Sequence, residues 1–575
     1  MREINLKVCT AKKNDYRISR EYSEETAVLR LSFARGCRGE AKIYLGTPLN
    51  DIFYSWTPVC GVQRTLAQNR SEFETVMVSD GMPCLLLLDG AGNCAFSWTL
   101  GDCANQFLYN IGINEEKAAA ESIIKFRLDE ICAGGEYELE IRCGTRRQTL
   151  AKELAAICAY LQKKTGALPA KTPACAYDPI YSFWYSYHQK LTANEVLKEC
   201  KMAKELGFNT CIVDDGWQTE DTARGYAFCG DWQPAPAKFP DMRTHIAQVH
   251  AVGMKYILWY NVPFVGFQSM RFEELSDCIL RYEDELGAGV LDPRYKKVRD
   301  FLAVTYEHAL RQWDVDGFKL DFVDQWHSDD KNAPANDNMD IPSLPEAVYT
   351  LMREITERLT AVKSDIMIEF RQRYIGVYMQ ACANMFRVAD CPGDIVKNRA
   401  GVLDLRMLAA GAVHSDMLMW HRDERPENAA RAIIGVMFGV PQLSVRIGEL
   451  TAAQRGVVKF WLGFINEHRE ALYFGELCAY DPQLFYTWAK SVKDGVCIAA
   501  VYAGGKCIKP DSSPVIYIAN GSEDERVIIE LCGRYAVRVY DCTGEVVLRG
   551  ECCFDGLGSV DIPIGGVARL MEEIV

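Results

Sequence analysis

Between residues 180 and 466 the chain alternates eight short apolar segments with eight stretches of helical hydrophobic spacing, and this alternation restricts its fold more than any other feature. The apolar segments lie at 180–184, 210–214, 255–260, 317–321, 366–370, 385–390, 413–419 and 443–446. The amphipathic stretches lie at 192–205, 242–252, 296–313, 343–359, 375–383, 401–410, 427–438 and 453–466. Parallel strands need long crossovers, and a helix that covers the sheet supplies them. Eight such units close into a (β/α)8 barrel, whose chemistry sits at the C-terminal ends of the strands.

The flanks read differently. From residue 1 to about 165, runs such as Ala27-Val28-Leu29-Arg30-Leu31-Ser32-Phe33 alternate apolar and polar residues and are separated by Gly and Asn clusters. This is the pattern of a β-sandwich. A connecting helix follows at 150–163, then a linker at 164–176 carrying Pro169 and Pro173. Short strands return at 496–502, 515–520, 527–531 and 536–540. The expected organisation is an N-terminal β-sandwich with its connecting helix at 1–165, a catalytic TIM barrel at 176–478 and a small C-terminal β-sandwich at 479–575.

The net charge of -14, with no Lys/Arg run interleaved with aromatics, argues against a nucleic-acid partner and favours a neutral substrate. The longest apolar runs, such as 84–88, are far shorter than the roughly 20 residues a membrane span requires. Charge in Met1-Arg2-Glu3-Ile4-Asn5-Leu6-Lys7 occupies the place of a signal peptide's apolar stretch, and the 23 cysteines are scattered without a C-x-x-C pair. Both point to a cytoplasmic chain with reduced thiols. No metal motif, phosphate loop or dinucleotide fingerprint is present, so neither a metal nor a cofactor is expected. A homo-oligomer is compatible with the sequence.

The strand ends carry the chemistry. Side chains alternate along a strand, so Lys319 and Asp321 in Gly317-Phe318-Lys319-Leu320-Asp321 point the same way. A carboxylate held ionised by a cation at such a position is an oxygen nucleophile in waiting, although structural ion pairs take the same form. Asp214, Asp215, Glu369 and Asp390 end three other strands on the same face. Two carboxylates across a pocket, one attacking the anomeric carbon and one protonating the leaving oxygen, are what glycoside hydrolysis demands. Trp184, Trp217, Trp232, Trp259 and Trp326 lie at or beyond strand ends, where an indole offers a sugar an apolar face and one N–H donor, or simply packs in the core.

Asp214-Asp215-Gly216-Trp217, Gly230-Asp231-Trp232, Lys238-Phe239-Pro240, Gly253-Met254-Lys255, Trp259, Leu291-Asp292-Pro293 and Lys319-Leu320-Asp321 follow one another in order. Residues 177–470 thereby resemble glycoside hydrolase family 36, which holds α-galactosidases, α-N-acetylgalactosaminidases and the raffinose and stachyose synthases. The resemblance implies a retaining, exo-acting α-glycosidase with a small carbohydrate as its partner, an α-galactoside before an N-acetylgalactosaminide, or a transglycosylase. It implies Asp321 as nucleophile and Asp390 as general acid/base. It also implies Asp214, Asp215 and Lys319 on sugar hydroxyls, with Trp217, Trp232, Trp259, Glu369 and Arg387 around the sugar. Asp394 competes with Asp390 for the acid role or lines the pocket. A barrel that kept the fold and lost the chemistry, as a carbohydrate-binding protein, would lack one carboxylate, and both candidates are present.

Three departures surround the expected pocket. The family's Glu-x-Cys-x-Gly-Gly-Gly-x-Arg segment is replaced by Glu369-Phe370-Arg371-Gln372-Arg373-Tyr374, Asn261 follows Trp259-Tyr260 where an acid is usual, and Ala389 precedes Asp390 in place of serine. Arg371 and Arg373 line the mouth or pair on the barrel rim. His414 and Asp416, with Trp420 and His421, are candidates for the pocket wall.

Overall fold

The protein is described from a computed structural model over residues 2–11, 15–59, 64–66, 72–132 and 134–572. Its centre is an eight-stranded parallel sheet. The strands are β1 (Ile180–Ser182), β2 (Thr210–Val213), β3 (Lys255–Asn261), β4 (Gly317–Asp321), β5 (Met367–Arg371), β6 (Met385–Arg387), β7 (Ala412–His414) and β8 (Gln442–Leu443). They follow in chain order, β8 pairs back onto β1, and a parallel bridge from His414 to Val440 closes the ring. Eight helices surround it: α1 (Ala193–Leu206), α2 (Met242–Val252), α3 (Lys296–Trp313), α4 (Leu344–Val362), α5 (Val377–Gln380), α6 (Ile395–Leu408), α7 (Pro426–Val436) and α8 (Ala452–Glu467). This is the (β/α)8 barrel expected.

Local chemistry explains most boundaries. Thr192 caps α1 through the Glu195 N–H, Asp241 caps α2 through Thr244, and Thr451 with Gln454 forms a reciprocal capping box on α8. Ile180, Ile212, Ile257, Met367, Met385 and Ala412 cluster with Ala176, so apolar side chains plug the N-terminal end of the barrel. Lining the sheet at this end with aliphatics leaves the other mouth to polar groups.

Two helices differ from expectation, and one of them, α6, begins at Ile395, ahead of the pattern at 401–410. The pattern at 375–383 forms only the single turn α5. The helix Leu150–Thr165 lies beside it and α6, with Leu154, Ile157 and Leu161 buried in the barrel's own core. Ala170 N–H donates to the Gln380 carbonyl at 2.8 Å. A helix from before the barrel thus covers the face that a longer α5 would have covered. The sixth and seventh strands are also shorter than the apolar pattern, ending at Arg387 and His414, because the chain leaves the ladder there.

Before the barrel, two antiparallel sheets of five and six strands face each other around one core. Thr26–Phe33 shows why: Ala27, Leu29, Leu31 and Phe33 are buried and their neighbours are not. After it, Glu476–Tyr480 opens a connected sheet in which the two short runs expected at 527–531 and 536–540 are one strand, Arg526–Tyr540, passing through Gly533 at φ +124°. All parts are fastened to the barrel. The fully buried Asp404 of α6 accepts from Trp56 Nε1 at 3.0 Å, from Arg64 Nη2 at 2.7 Å and from the Tyr486 hydroxyl. Arg373 pairs with Asp80 at 2.7 Å. Among the described residues no helix is long and apolar enough to cross a membrane.

Candidate active site

Strand register assembles the site. The ladder pairs Trp259 with Lys319, Asn261 with Asp321 and Lys319 with Glu369, so side chains from β3, β4 and β5 share levels at the C-terminal mouth. Asp321, Lys319, Glu369, Asp214, Asp215 and Arg387 are all buried there.

Asp321 ends β4 and is followed by Phe322 at φ +65°, a backbone conformation that a bulky side chain rarely adopts and that tends to mark functional sites. The bend turns the Phe322 N–H back onto Asp321 Oδ1 at 2.8 Å. The same oxygen accepts from Arg371 Nε at 2.6 Å and from the Tyr374 hydroxyl at 3.2 Å. Among the described residues Oδ2 accepts only from Trp259 Nε1, at 3.4 Å. Burial raises the affinity of Asp321 for a proton, but the charges of Arg371 and Lys319 and these hydrogen bonds outweigh it and hold the carboxyl well below the usual carboxylate range. The carboxylate is thereby held in its ionised form at neutral pH.

The cation that contacts it is not the one expected from the strand. Lys319 does share a face with Asp321, but its Nζ donates to Asp214 Oδ2 at 2.5 Å. Arg371, two residues beyond Glu369 and on the same face of β5, takes the contact, with Phe322 and Tyr374 rings flanking its guanidinium at 5.6 and 5.2 Å. Arg373 points the other way, to Asp80 and to Glu74 at 3.2 Å.

Arg387 is the second centre. Fully buried, it donates to Asp416 at 2.5 Å, to Asp390 at 2.9 Å and to the Val388 carbonyl at 2.9 Å, with its Nε 3.7 Å from Glu369 Oε1. One guanidinium thus serves three carboxylates. Burial raises the proton affinity of Glu369 and of Asp416, with Arg387 opposing it in both. In Asp390 burial also pushes up, but Arg387 and Lys319 prevail and hold it low. The Asp390 side chain is 52% exposed, so it faces the open mouth. Asp416 accepts in addition from the Tyr185 hydroxyl at 2.9 Å and the Cys391 N–H at 2.7 Å, which anchors the loop carrying Asp390.

On β2's end, Asp215 accepts from Gln189 at 2.6 Å and Gln218 at 2.7 Å, and burial raises its pKa to about 6. Asp214 Oδ1 accepts from the Asp215 N–H at 2.9 Å. Trp217 is fully buried, donates its N–H to the Trp259 carbonyl at 2.9 Å and stacks on Trp232 at 6.1 Å. It backs the pocket wall, while Trp259 contacts Asp321 directly. Trp326 donates to the Leu291 carbonyl at 2.8 Å and Trp184 lies against His188. Asp394 is the N-cap of α6, accepting from Val396 and Lys397 N–H groups at 3.1 and 2.8 Å, away from Arg387. His414, held neutral by burial at about 3, hydrogen bonds the Ala176 carbonyl, and His421 is exposed.

Sequence reasoning left out Gln189, Gln218, Tyr374, Gln442 and Tyr185. Gln442 donates to Glu369 Oε2 at 2.5 Å, and the Glu369 Oε1 and Arg387 Nε atoms beside it have no hydrogen-bond partner among the described residues. None of these five carried a readable signal, whereas Arg371, named from the sequence, could be placed by its spacing of two from Glu369. Among the described residues no group of three His, Cys, Asp or Glu is disposed to hold a metal ion.

The melibiase family model matches residues 179–373, from β1 through the segment after β5. The match thus covers the first five strands of this barrel. α-Galactosidase 2 of Pediococcus pentosaceus is 26% identical over 148 residues, 25% of this chain and 20% of that protein. The match therefore spans about a fifth of that relative's length. Among solved structures, the galactosidase domain of an α-galactosidase-sucrose kinase aligns with a TM-score of 0.63 at 12% identity over 99% of this chain and 85% of that one. A family 36 α-galactosidase from Geobacillus stearothermophilus, in complex with stachyose, aligns with a TM-score of 0.61 at 13% identity over 100% of this chain and 88% of its own. These structures establish the fold, and with the melibiase domain and the curated relative they support the assignment to glycoside hydrolase family 36.

Proposed function

We propose that the chain is a retaining, exo-acting α-galactosidase in which Asp321 is the nucleophile and Asp390 the general acid/base. The observation that carries this reading is the pair of unlike carboxylates at one mouth. Asp321 is buried and locked in the ionised state, while Asp390 is open to solvent and tied to a shared guanidinium. The first is suited to attack the anomeric carbon and the second to exchange protons with a leaving oxygen and then with water. Arg387 holds Asp390 low, which suits it as the base of the second step. Its role as acid in the first step then fades as pH rises, so the rate of that step falls with rising pH from the acidic range onward.

Asp214, Asp215 and Lys319 form a buried polar rim suited to sugar hydroxyls, with Trp259 and Trp232 as the apolar wall. The galactosides stachyose and raffinose bound in family 36 structures support a small α-galactoside as substrate. The scattered cysteines, all free among the described residues, support a reducing, cytoplasmic setting. The division at 1–165, 176–478 and 479–575 remains our proposal for the domains, and limited proteolysis tests it.

The test of function is turnover of p-nitrophenyl α-galactoside with the first-formed sugar followed by proton NMR. The α-anomer is expected. A β-anomer would refute retention, and no turnover of any α-galactoside would refute the assignment.

A further inference from the structure

Asp321 is held asymmetrically. A carboxylate oxygen offers about two lone-pair sites, and Oδ1 fills them with Arg371 Nε and the Phe322 N–H, with the Tyr374 hydroxyl, shared with Asp324 at 2.9 Å, a further 3.2 Å neighbour, while among the described residues Oδ2 has one contact at 3.4 Å from Trp259. Lys319 directs its ammonium to Asp214. Arg371 is itself fixed between two aromatic rings and stands in the glycine-free segment where this chain leaves the family pattern. We propose that Arg371 is a positioning residue for the nucleophile, clamping Oδ1 so that Oδ2 attacks, and that it keeps the covalent intermediate short-lived. The proposal rests on the glycosidase reading above.

The balance of the reaction shows why. In the first step an Oδ2 lone pair bonds to the anomeric carbon as the bond from that carbon to the aglycone oxygen breaks. The freed electron pair takes the Asp390 proton. Asp321 becomes a neutral ester with Oδ1 as its carbonyl, and Asp390 is left as a carboxylate. In the second step Asp390 takes a proton from water, the water oxygen bonds to the anomeric carbon, and the electron pair of the carbon–Oδ2 bond returns to Asp321. A guanidinium 2.6 Å from Oδ1 favours the charged carboxylate over the ester. It therefore pulls the second step forward and disfavours accumulation of the ester.

The groups facing Asp321 are Arg371 at the end of β5 with Tyr374 beyond it, Lys319 on its own strand, Asp324 in the following loop, Asp214 after β2, Tyr226 from the loop beyond it, and Asp390 with Arg387 at the end of β6. With Arg371 gone, Lys319 remains as the nearest cation and the acids dominate.

The experiment compares wild type, Arg371→Met, Arg371→Lys and Tyr374→Phe on p-nitrophenyl α-galactoside, with folding checked by circular dichroism. For Arg371→Met the expected result is a pre-steady-state burst of nitrophenol near one equivalent of enzyme. kcat and KM should fall together by roughly 10- to 100-fold, the range for losing a hydrogen bond to a charged group. The acidic limb of kcat/KM should move up by about one pH unit or more. Arg371→Lys, which keeps the charge, should hold the limb near wild type. Should Arg371→Met fail to fold, Tyr374→Phe, which removes one Oδ1 donor, should move the limb in the same direction. A fall in kcat with unchanged KM, no burst and an unmoved pH profile would overturn the proposal and leave Arg371 a structural residue. An inert wild type would instead sink the glycosidase reading.

Discussion

Replacing Asp321 by glycine would remove the proposed nucleophile and leave its surroundings in place. Lys319 keeps its 2.5 Å bond to Asp214, and Arg371, which is 22% exposed, can turn toward solvent and Asp324, 3.9 Å away. The fold should therefore survive. Catalysis should not, because without Asp321 no covalent path exists. Nucleophile removal in other enzymes that act through a covalent intermediate costs on the order of 10⁵- to 10⁶-fold in kcat, or about 7 to 8 kcal/mol. The vacated space beside Trp259, Tyr374 and the Phe322 N–H matches a small linear anion. Azide should enter it, restore part of the turnover of an aryl α-galactoside, and yield the β-galactosyl azide after a single inversion. Wild-type-like activity in Asp321→Gly would refute the reasoning outright. An α-azide product would show that Asp321 is not the group on that face of the sugar.

Asp390→Gly should lose roughly 10²- to 10⁴-fold on raffinose and much less on p-nitrophenyl α-galactoside, whose leaving group needs little protonation, and azide should here give the α-product. Asp394→Ala should keep activity and lower stability by about 1 kcal/mol in thermal melts, the typical value of a helix cap. Asp215 holds its proton up to a pH of about 6 in the folded protein and to about 4 in the unfolded chain. The native state thus binds more protons between those values, and stability should fall with rising pH across them by about 3 kcal/mol, a slope that Asp215→Asn should flatten along with any inflection of kcat/KM near pH 6. Asp404→Leu should cost about 3 to 5 kcal/mol, because it leaves the Arg64 and Tyr486 donors and the Trp56 N–H facing a buried apolar side chain.

Much of the architecture was legible because the signals were local. Strand β4 and helices α2 and α3 sit where the pattern puts them, since alternation, an Asp241 cap and long amphipathic spacing act within one segment. The 375–383 stretch misled because a distant helix, Leu150–Thr165, covers that face, and no local rule reports it. Asp321 could be picked from its strand, but its cation could not. Lys319 and Arg371 both point inward, and only the closed ring decides that Asp214 takes the lysine and Asp321 the arginine. Likewise Asp416 gains its place only because the chain leaves the sheet after His414, bringing it to Arg387 and the Cys391 N–H.

The helix Leu150–Thr165 has a consequence for how this protein can be divided. Because Leu154, Ile157 and Leu161 belong to the same apolar core as the strands, the barrel's outer wall has a panel borrowed from upstream. A fragment starting at residue 176 would expose α5, α6 and the Asp404 carboxylate together. Grafting this barrel onto another amino-terminal module would therefore require carrying the helix across as part of the barrel, and a shuffled gene cut at the proline-bearing linker would encode a barrel with an open seam.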